Sequence, residues 1–124
     1  MDPKKKINLF LKNKNFCVVP WTSFEVFTDG AVKTCSLGTK ELGSLKEKSL
    51  DQILHGETIK KIKENMLNNI PDENCVGCQI RAIDEDRFSH LRDHYNHKLL
   101  KQDVDYENID NFDMHFVDLH WSNI

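Results

Sequence analysis

The four cysteines of the chain, Cys17, Cys35, Cys75 and Cys78, constrain its fold more than any other sequence feature. Cys75 and Cys78 form a Cys-x-x-Cys pair, the shortest loop in which two thiolates can chelate one centre without backbone strain. Metal binding needs several thiolates within about 2.3 Å of the ion, so distant parts of the chain would have to meet. The pattern predicts one metal centre with no cysteine left over.

The composition fits one small domain in a reducing compartment. The chain has 124 residues and 39% hydrophobic content. A hydrophobic core of this size is modest, and a bound metal or another cross-link would add to its stability. Its 17 basic and 20 acidic residues are spread along the chain, which argues against nucleic acid as a partner. The sequence has no apolar run that could span a bilayer and no signal-peptide core. We therefore expect a cytoplasmic protein that binds neither nucleic acid nor membrane.

A β-hairpin is predicted around Asp29 and Gly30, which separate two apolar, β-branched runs. A two-residue turn at this point would place Phe24 opposite Cys35. Cys17 lies just upstream, where a proline bends the chain before the first strand. Both cysteines are therefore expected at the open end of the hairpin.

Helical periodicity dominates the middle of the chain. A short helix is expected after Ser49, and an amphipathic helix should follow over residues 59–70, where Pro71 would end it. A third helical pattern continues to Leu99. The Cys-x-x-Cys pair would then lie in a knuckle between two helices.

Two further strands complete the predicted fold. A short strand is expected within residues 42–45, and an apolar, β-prone run over residues 112–121 predicts a C-terminal strand. The predicted class is α+β, with a small β-hairpin followed by helices around a four-cysteine metal centre.

The residues leave several interpretations of the cysteines open. Four thiolates serve both tetrahedral zinc and a 4Fe-4S cluster, so the number of ligands does not identify the metal. Cys75 and Cys78 could instead form a redox dithiol, although that motif expects a preceding strand and a helix is predicted there. A further alternative is that the cysteines are buried core thiols.

The order of the cysteines resembles a known family. Cys17 is followed by the hairpin residue Gly30, by Cys35 and, after a long gap, by Cys75-x-x-Cys78. This arrangement is similar to the SPASM/twitch auxiliary-cluster domains of radical S-adenosylmethionine (radical SAM) enzymes. Further residues that support the resemblance are Pro20-Trp21, Gly43-Ser44-Leu45, Ser49-Leu50 and Ile53-Leu54.

The resemblance implies that Cys17, Cys35, Cys75 and Cys78 bind one auxiliary 4Fe-4S cluster. The longer form of the family has two more cysteines after the pair, but here those positions hold Asp84 and Phe88. A cluster held by protein thiolates at every iron suits electron transfer or structural support.

The resemblance also implies a domain organisation. Residues 1–15 would be a basic N-terminal lead, residues 16–100 the SPASM/twitch-like domain, and residues 101–124 a linker and strand resembling the start of a radical SAM barrel. The Cys-x-x-x-Cys-x-x-Cys motif of that barrel is absent from the sequence. We therefore expect this chain to be an N-terminal fragment of a longer protein and not to be catalytic alone. The auxiliary domain would precede the barrel here, whereas in the family it usually follows the barrel. Its partners would be a radical SAM barrel, in cis or in trans, and a peptide or protein substrate.

Overall fold

The computed structural model describes residues 1–35, 38–76 and 96–114 of the chain. Within these ranges, short helices surround a small antiparallel sheet, which confirms the predicted α+β class. The described elements are, in chain order, α1 (Pro3–Ile7), a π-helical turn (Asn8–Lys12), α2 (Val19–Thr22), β1 (Glu25–Val26), β2 (Ala31–Lys33), β3 (Gly43–Ser44), α3 (Leu50–Leu54), α4 (Glu57–Leu67) and a 3-10 turn (Glu73–Cys75). The described strands are ordered β1-β2-β3 in one sheet.

The β1–β2 hairpin forms where it is predicted, but its loop has three residues and not two. The N–H of Phe27 donates to the carbonyl of Ala31 at 2.9 Å, and the N–H of Gly30 donates to the carbonyl of Phe27 at 2.9 Å. Gly30 has a φ of 89°, the left-handed conformation that this type of loop requires at its last residue. The side chain of Asp29 accepts a hydrogen bond from the N–H of Ala31 at 3.0 Å, which stabilises the turn.

The longer loop shifts the register of the hairpin by one residue. Val26 pairs with Val32, and the same register places Thr34 opposite Phe24. The predicted pairing of Phe24 with Cys35 is therefore wrong. The shift matters for the site because side chains alternate between the two faces of a strand.

The start of α3 and the strand before it agree with the predictions. Ser49 and Gln52 form a capping box, in which each side chain accepts a hydrogen bond from the backbone N–H of the other residue, at 3.0 and 3.2 Å. Strand β3 falls within the predicted residues 42–45. A Cβ at Gly43 would lie 2.8 Å from Cγ1 of Ile53, so the absence of a side chain lets β3 pack closely on α3.

Helix α4 ends at Leu67, so the prediction that it continues to Ile70 is wrong. Asn69 adopts the left-handed conformation, with a φ of 56°. The N–H of Asn69 donates to the carbonyl of Met66 at 3.2 Å, and the N–H of Ile70 donates to the carbonyl of Asn65 at 2.8 Å. These two bonds are those of a Schellman motif, which satisfies the last carbonyls of the helix before the proline is reached.

An aromatic cluster lies at the centre of the core. The ring of Tyr106 lies 5.7 Å from that of Phe10, 5.3 Å from that of Phe16 and 5.6 Å from that of Trp21, all edge-on. Phe10 belongs to the N-terminal lead, and Tyr106 belongs to residues 101–114, which we call the strap. Both flanks therefore share one core with the middle of the chain.

Helix α4 holds the strap through two lysines. The ammonium of Lys63 donates to the carbonyl of Ile109 at 3.1 Å and to that of Asn111 at 2.9 Å. Lys60 forms an ion pair with Asp110 at 3.0 Å on the surface beside them. The strap is fixed mainly by the buried contacts, because an exposed ion pair contributes little.

Several predicted elements lie partly outside the described residues. Residues 96–99 are helical, in agreement with the end of the third helical pattern, and most of that pattern lies outside the described ranges. Residues 112–114, the start of the predicted C-terminal strand, have no regular secondary structure. The rest of that predicted strand lies outside the described residues. Among the described helices, none is long and apolar enough to cross a membrane.

Candidate metal centre

Three of the four predicted ligands lie in the described part of the chain, each at the end or start of an element. Cys17 lies just before α2, Cys35 follows β2, and Cys75 is the last residue of the 3-10 turn. All three are partly buried, and none forms a disulfide with another of the three. Cys78 lies outside the described residues.

A buried side-chain hydrogen bond joins the segments that carry Cys35 and Cys75. Nδ2 of Asn74 donates to Oγ1 of Thr34 at 2.9 Å, between residues that each directly precede one of these cysteines. Asn74 is 1% exposed and Thr34 is 3% exposed. Because a buried amide and hydroxyl are costly to leave unpaired, this bond specifies the approach of the two segments.

The loop after Cys35 is bound to the 3-10 turn by further hydrogen bonds. The N–H of Thr39 donates to the carbonyl of Asn74 at 3.2 Å, and its hydroxyl donates to the carbonyl of Glu73 at 2.8 Å. The N–H of Lys40 donates to Oδ1 of Asn74 at 3.0 Å. Asn74 thus contacts both sides of the loop that follows Cys35.

Asp72 anchors the start of the 3-10 turn. Its carboxylate accepts hydrogen bonds from the N–H of Asn74 at 2.9 Å and from Nδ2 of Asn65 at 2.7 Å, and it pairs with Lys40 at 3.1 Å. Burial raises the pKa of Asp72, but these hydrogen bonds and the charge of Lys40 outweigh it and hold the pKa below its ordinary value. The carboxylate therefore stays ionised and keeps the turn in place at neutral pH.

Gly38 lets the loop approach the turn closely. A Cβ at this position would lie 3.0 Å from Oδ1 of Asn74, 3.2 Å from the carbonyl oxygen of Cys35 and 3.2 Å from Oγ1 of Thr34. The N–H of Gly38 also donates to the carbonyl of Cys35 at 3.0 Å. A side chain here would push apart the groups that join Cys35 to Cys75.

Cys17 is held by the core and by a contact with the helical residues 96–99. The N–H of Val18 donates to Oδ1 of the buried Asn96 at 3.0 Å. The ring of Phe16 lies 5.5 Å from that of Trp21, so aromatic packing fixes the chain on both sides of Cys17. The position of Cys17 therefore depends on the helical residues 96–99 as well as on α2.

The hydroxyl of Tyr106 is buried and has no hydrogen-bond partner among the described residues. Burial raises the pKa of Tyr106, and the nearby charges of Cys17 and Asp113 raise it further. A neutral phenol keeps its O–H group as a hydrogen-bond donor. This orphaned donor and the amide of Asn74, whose Nδ2 donates to Sγ of Cys75 at 3.9 Å, suit sulfur ligands that carry negative charge.

The structure brings the predicted ligands together only in part. Cys35 and Cys75 are joined through their neighbours, and Cys17 and Cys75 pack against the same core. Within the described ranges, no three histidine, cysteine, aspartate or glutamate side chains form a group that could hold a metal ion. Convergence of all four cysteines on one centre therefore stays a prediction.

Sequence reasoning missed the residues that support the cysteines. Thr34, Gly38 and Asn74 have no motif of their own, and their roles depend on contacts between segments 40 residues apart in the chain. The available signal was their position, because Thr34 and Asn74 each directly precede a predicted ligand. Small polar residues in this position are suited to orient the ligand that follows.

Comparison with known protein families identifies a domain that includes all four cysteines of the chain. The family model of SPASM, described as an iron-sulfur cluster-binding domain, matches residues 17–79, just over half of the chain. Searches of curated proteins and of solved structures gave no match.

Proposed function

Since the chain belongs to the SPASM family of iron-sulfur cluster-binding domains, we propose that Cys17, Cys35, Cys75 and Cys78 hold one 4Fe-4S cluster. The observation that carries the proposal is the extent of the match, which begins at the first of these cysteines and includes the last. Asp84 and Phe88 support a single cluster, because the longer form of the family has cysteines at these positions.

The described surroundings of the cysteines fit a thiolate-bound group. The donor set is entirely sulfur, which suits iron-sulfur clusters and zinc better than hard cations. The Asn74 amide donates to the sulfur of Cys75, and the buried Tyr106 hydroxyl has no hydrogen-bond partner among the described residues. Such donors stabilise negative charge on the ligands of a metal centre.

When bound, the cluster would supply one-electron chemistry or structural support to a radical SAM enzyme. The residues of this chain would orient the thiolates and limit the access of water. Trp21 and Phe16 are fully buried beside Cys17, and the strap covers them through Tyr106. The proposed partners are a radical SAM barrel, in cis or in trans, and a peptide or protein substrate. The proposed location is the cytoplasm.

The first test is the metal and sulfide content of protein purified without oxygen. We expect roughly four irons and four acid-labile sulfides per chain, with the broad visible absorbance of a cluster. About one zinc per chain without sulfide, reproduced after anaerobic expression with ample iron, would contradict the proposal. That result would assign a structural four-cysteine zinc module that binds other proteins.

Substitution then tests the ligands. Cys75→Ser should lose most of the iron and lower the free energy of unfolding, because metal binding contributes directly to the stability of a small metal-binding domain. His97→Ala serves as the control, since His97 is exposed and could bind metal only adventitiously. A Cys75→Ser protein with the iron content and stability of the His97→Ala protein would exclude Cys75 as a ligand.

A further inference from the structure

We propose that Asn74 is a positioning residue for the metal centre, which holds Cys35 beside Cys75 and donates an N–H hydrogen bond that raises the reduction potential. The inference rests on the proposed function, because it concerns the same cluster. Asn74 is not a predicted ligand and acts only through its neighbours.

The contacts of Asn74 use both ends of its amide. Nδ2 carries two N–H groups, of which one donates to Oγ1 of Thr34 at 2.9 Å and the other to Sγ of Cys75 at 3.9 Å. Oδ1 accepts the N–H of Lys40 at 3.0 Å. The same side chain therefore contacts the strand end, the following loop and a sulfur atom.

These partners also fix the orientation of the amide. If the amide were rotated by half a turn, its NH2 group would face the N–H of Lys40, donor against donor. The carbonyl oxygen would then face the sulfur of Cys75, acceptor against thiolate. Because Asn74 is 1% exposed, water cannot easily compensate for either mismatch. The packing thus directs an N–H group at Cys75.

This direction predicts the sign of the effect on the potential. Reduction of a cluster adds negative charge that is shared with its thiolate sulfurs, so an N–H donor stabilises the reduced form more than the oxidised form. The effect is strengthened by burial, because a low local dielectric increases electrostatic interactions. Loss of the donor should therefore lower the reduction potential.

Two substitutions separate donation from positioning. Asn74→Asp keeps an oxygen for the N–H of Lys40, and the hydroxyl of Thr34 can rotate to donate to the new oxygen, so the segments stay joined while the donor to Cys75 is lost. Thr34→Val removes the hydroxyl and leaves the amide, with Thr34→Ser as the variant that restores the bond. Asn68→Asp controls for one added surface charge, because Asn68 is exposed at the end of α4, and the neutral Asn74→Leu controls for the buried charge that Asn74→Asp adds.

The reduction potential of each loaded protein is measured by spectroelectrochemistry, together with its iron content. At a fixed applied potential, Asn74→Asp should lower the ratio of reduced to oxidised cluster at least tenfold. A tenfold change corresponds to a reduction potential that is about 59 mV lower for a one-electron couple. Asn68→Asp should change this ratio less than twofold. Asn74→Leu, which is similar in size, adds no charge and has no donor, should change it in the same direction as Asn74→Asp.

The positioning role is measured by the rate at which the cluster bleaches in air. Thr34→Val should bleach at least threefold faster than the wild type, with its potential unchanged, and Thr34→Ser should restore the wild-type rate. Ser49→Ala, which loses the capping box of α3, is the control for a general loss of stability and should bleach at the wild-type rate.

Each contrary outcome has a distinct meaning. If the wild type carries the cluster and the potential is unchanged in Asn74→Asp or in Asn74→Leu, donation to Cys75 is overturned and the proposed function stays intact. Wild-type bleaching in Thr34→Val would overturn the positioning role. A wild type without iron and sulfide would overturn the proposed function, and this inference with it.

Discussion

Lys63 is a buried charge whose removal should change the pH dependence of stability. Its side chain is fully buried, donates to the carbonyls of Ile109 and Asn111, and lies with its ammonium 5.6 Å from the centre of the Trp21 ring. Burial lowers the pKa of Lys63 to about 8, against the opposing effect of the nearby Asp110 charge. We expect Lys63→Met, which keeps a similar length without a charge, to abolish this titration.

The magnitude follows from the two pKa values. The ordinary pKa of lysine is 10.5, so between pH values of about 8 and 10.5 the unfolded chain binds more protons than the folded chain, and stability rises with pH. One pKa unit corresponds to about 1.4 kcal/mol, so the shift amounts to at most about 3 kcal/mol. This penalty of the charged form is fully present below pH 8 and is relieved as the pH approaches 10.5.

The assay is urea unfolding followed by tryptophan fluorescence, at pH values from about 7 to about 10.5. The free energy of unfolding of the wild type should increase relative to that of Lys63→Met by up to about 3 kcal/mol over this range. Lys61→Met is the matched control, because Lys61 is exposed on the same helix, and it should follow the wild type. Parallel pH profiles for wild type and Lys63→Met would refute the reasoning.

Two further substitutions test the loop and a helix start. Gly38→Ala should lower the free energy of unfolding by about 1–3 kcal/mol and reduce the iron content, because its Cβ would crowd Asn74 and Cys35. Wild-type values in unfolding and iron analysis would show that the loop can move without separating the two cysteine segments. Ser49→Ala should cost about 1 kcal/mol through loss of the capping box, with iron content unchanged. Thermal unfolding beside a Lys48→Ala control measures this effect, and equal stability of the two variants would contradict it.

The elements that the sequence predicted are those that local chemistry determines. Ser49 and Gln52 satisfy the first N–H groups of α3 by themselves, so the start of this helix is readable without tertiary contacts. Asp29 and Gly30 likewise specify a turn wherever the chain places them. The resemblance to SPASM domains rested on the order of the cysteines and is confirmed by the family match to residues 17–79.

The errors arose where one sequence signal fits two local structures. Asp29-Gly30 suits a two-residue turn and also the end of a three-residue loop, and only the pairing of Phe27 with Ala31 distinguishes them. At the end of α4, Pro71 marks the latest possible stop, but Asn69 ends the helix earlier by adopting a left-handed conformation.

The contacts that support the candidate site could not be predicted from the sequence, because they are tertiary contacts. The bond between Asn74 and Thr34 exists only when the hairpin and the 3-10 turn pack together. The buried state of Lys63 depends on the strap in the same way, since a lysine on an amphipathic helix is expected to face solvent. Spacing alone therefore predicts candidate ligands, whereas the residues that contact their segments are visible only in the folded chain.

The aromatic cluster sets the smallest piece of this chain that can fold by itself. The family-matched residues 17–79 contain Trp21, but Phe10 and Tyr106, at 7% and 0% exposure, come from the two sides of that range. Losing a buried aromatic side chain costs about 3–5 kcal/mol, and a domain of this size has about 5–15 kcal/mol in total. A polypeptide trimmed to residues 17–79 would therefore be close to unfolded. The autonomous unit of folding is wider than the unit of sequence similarity, so both flanks must accompany the cysteines in any transplanted version of the domain.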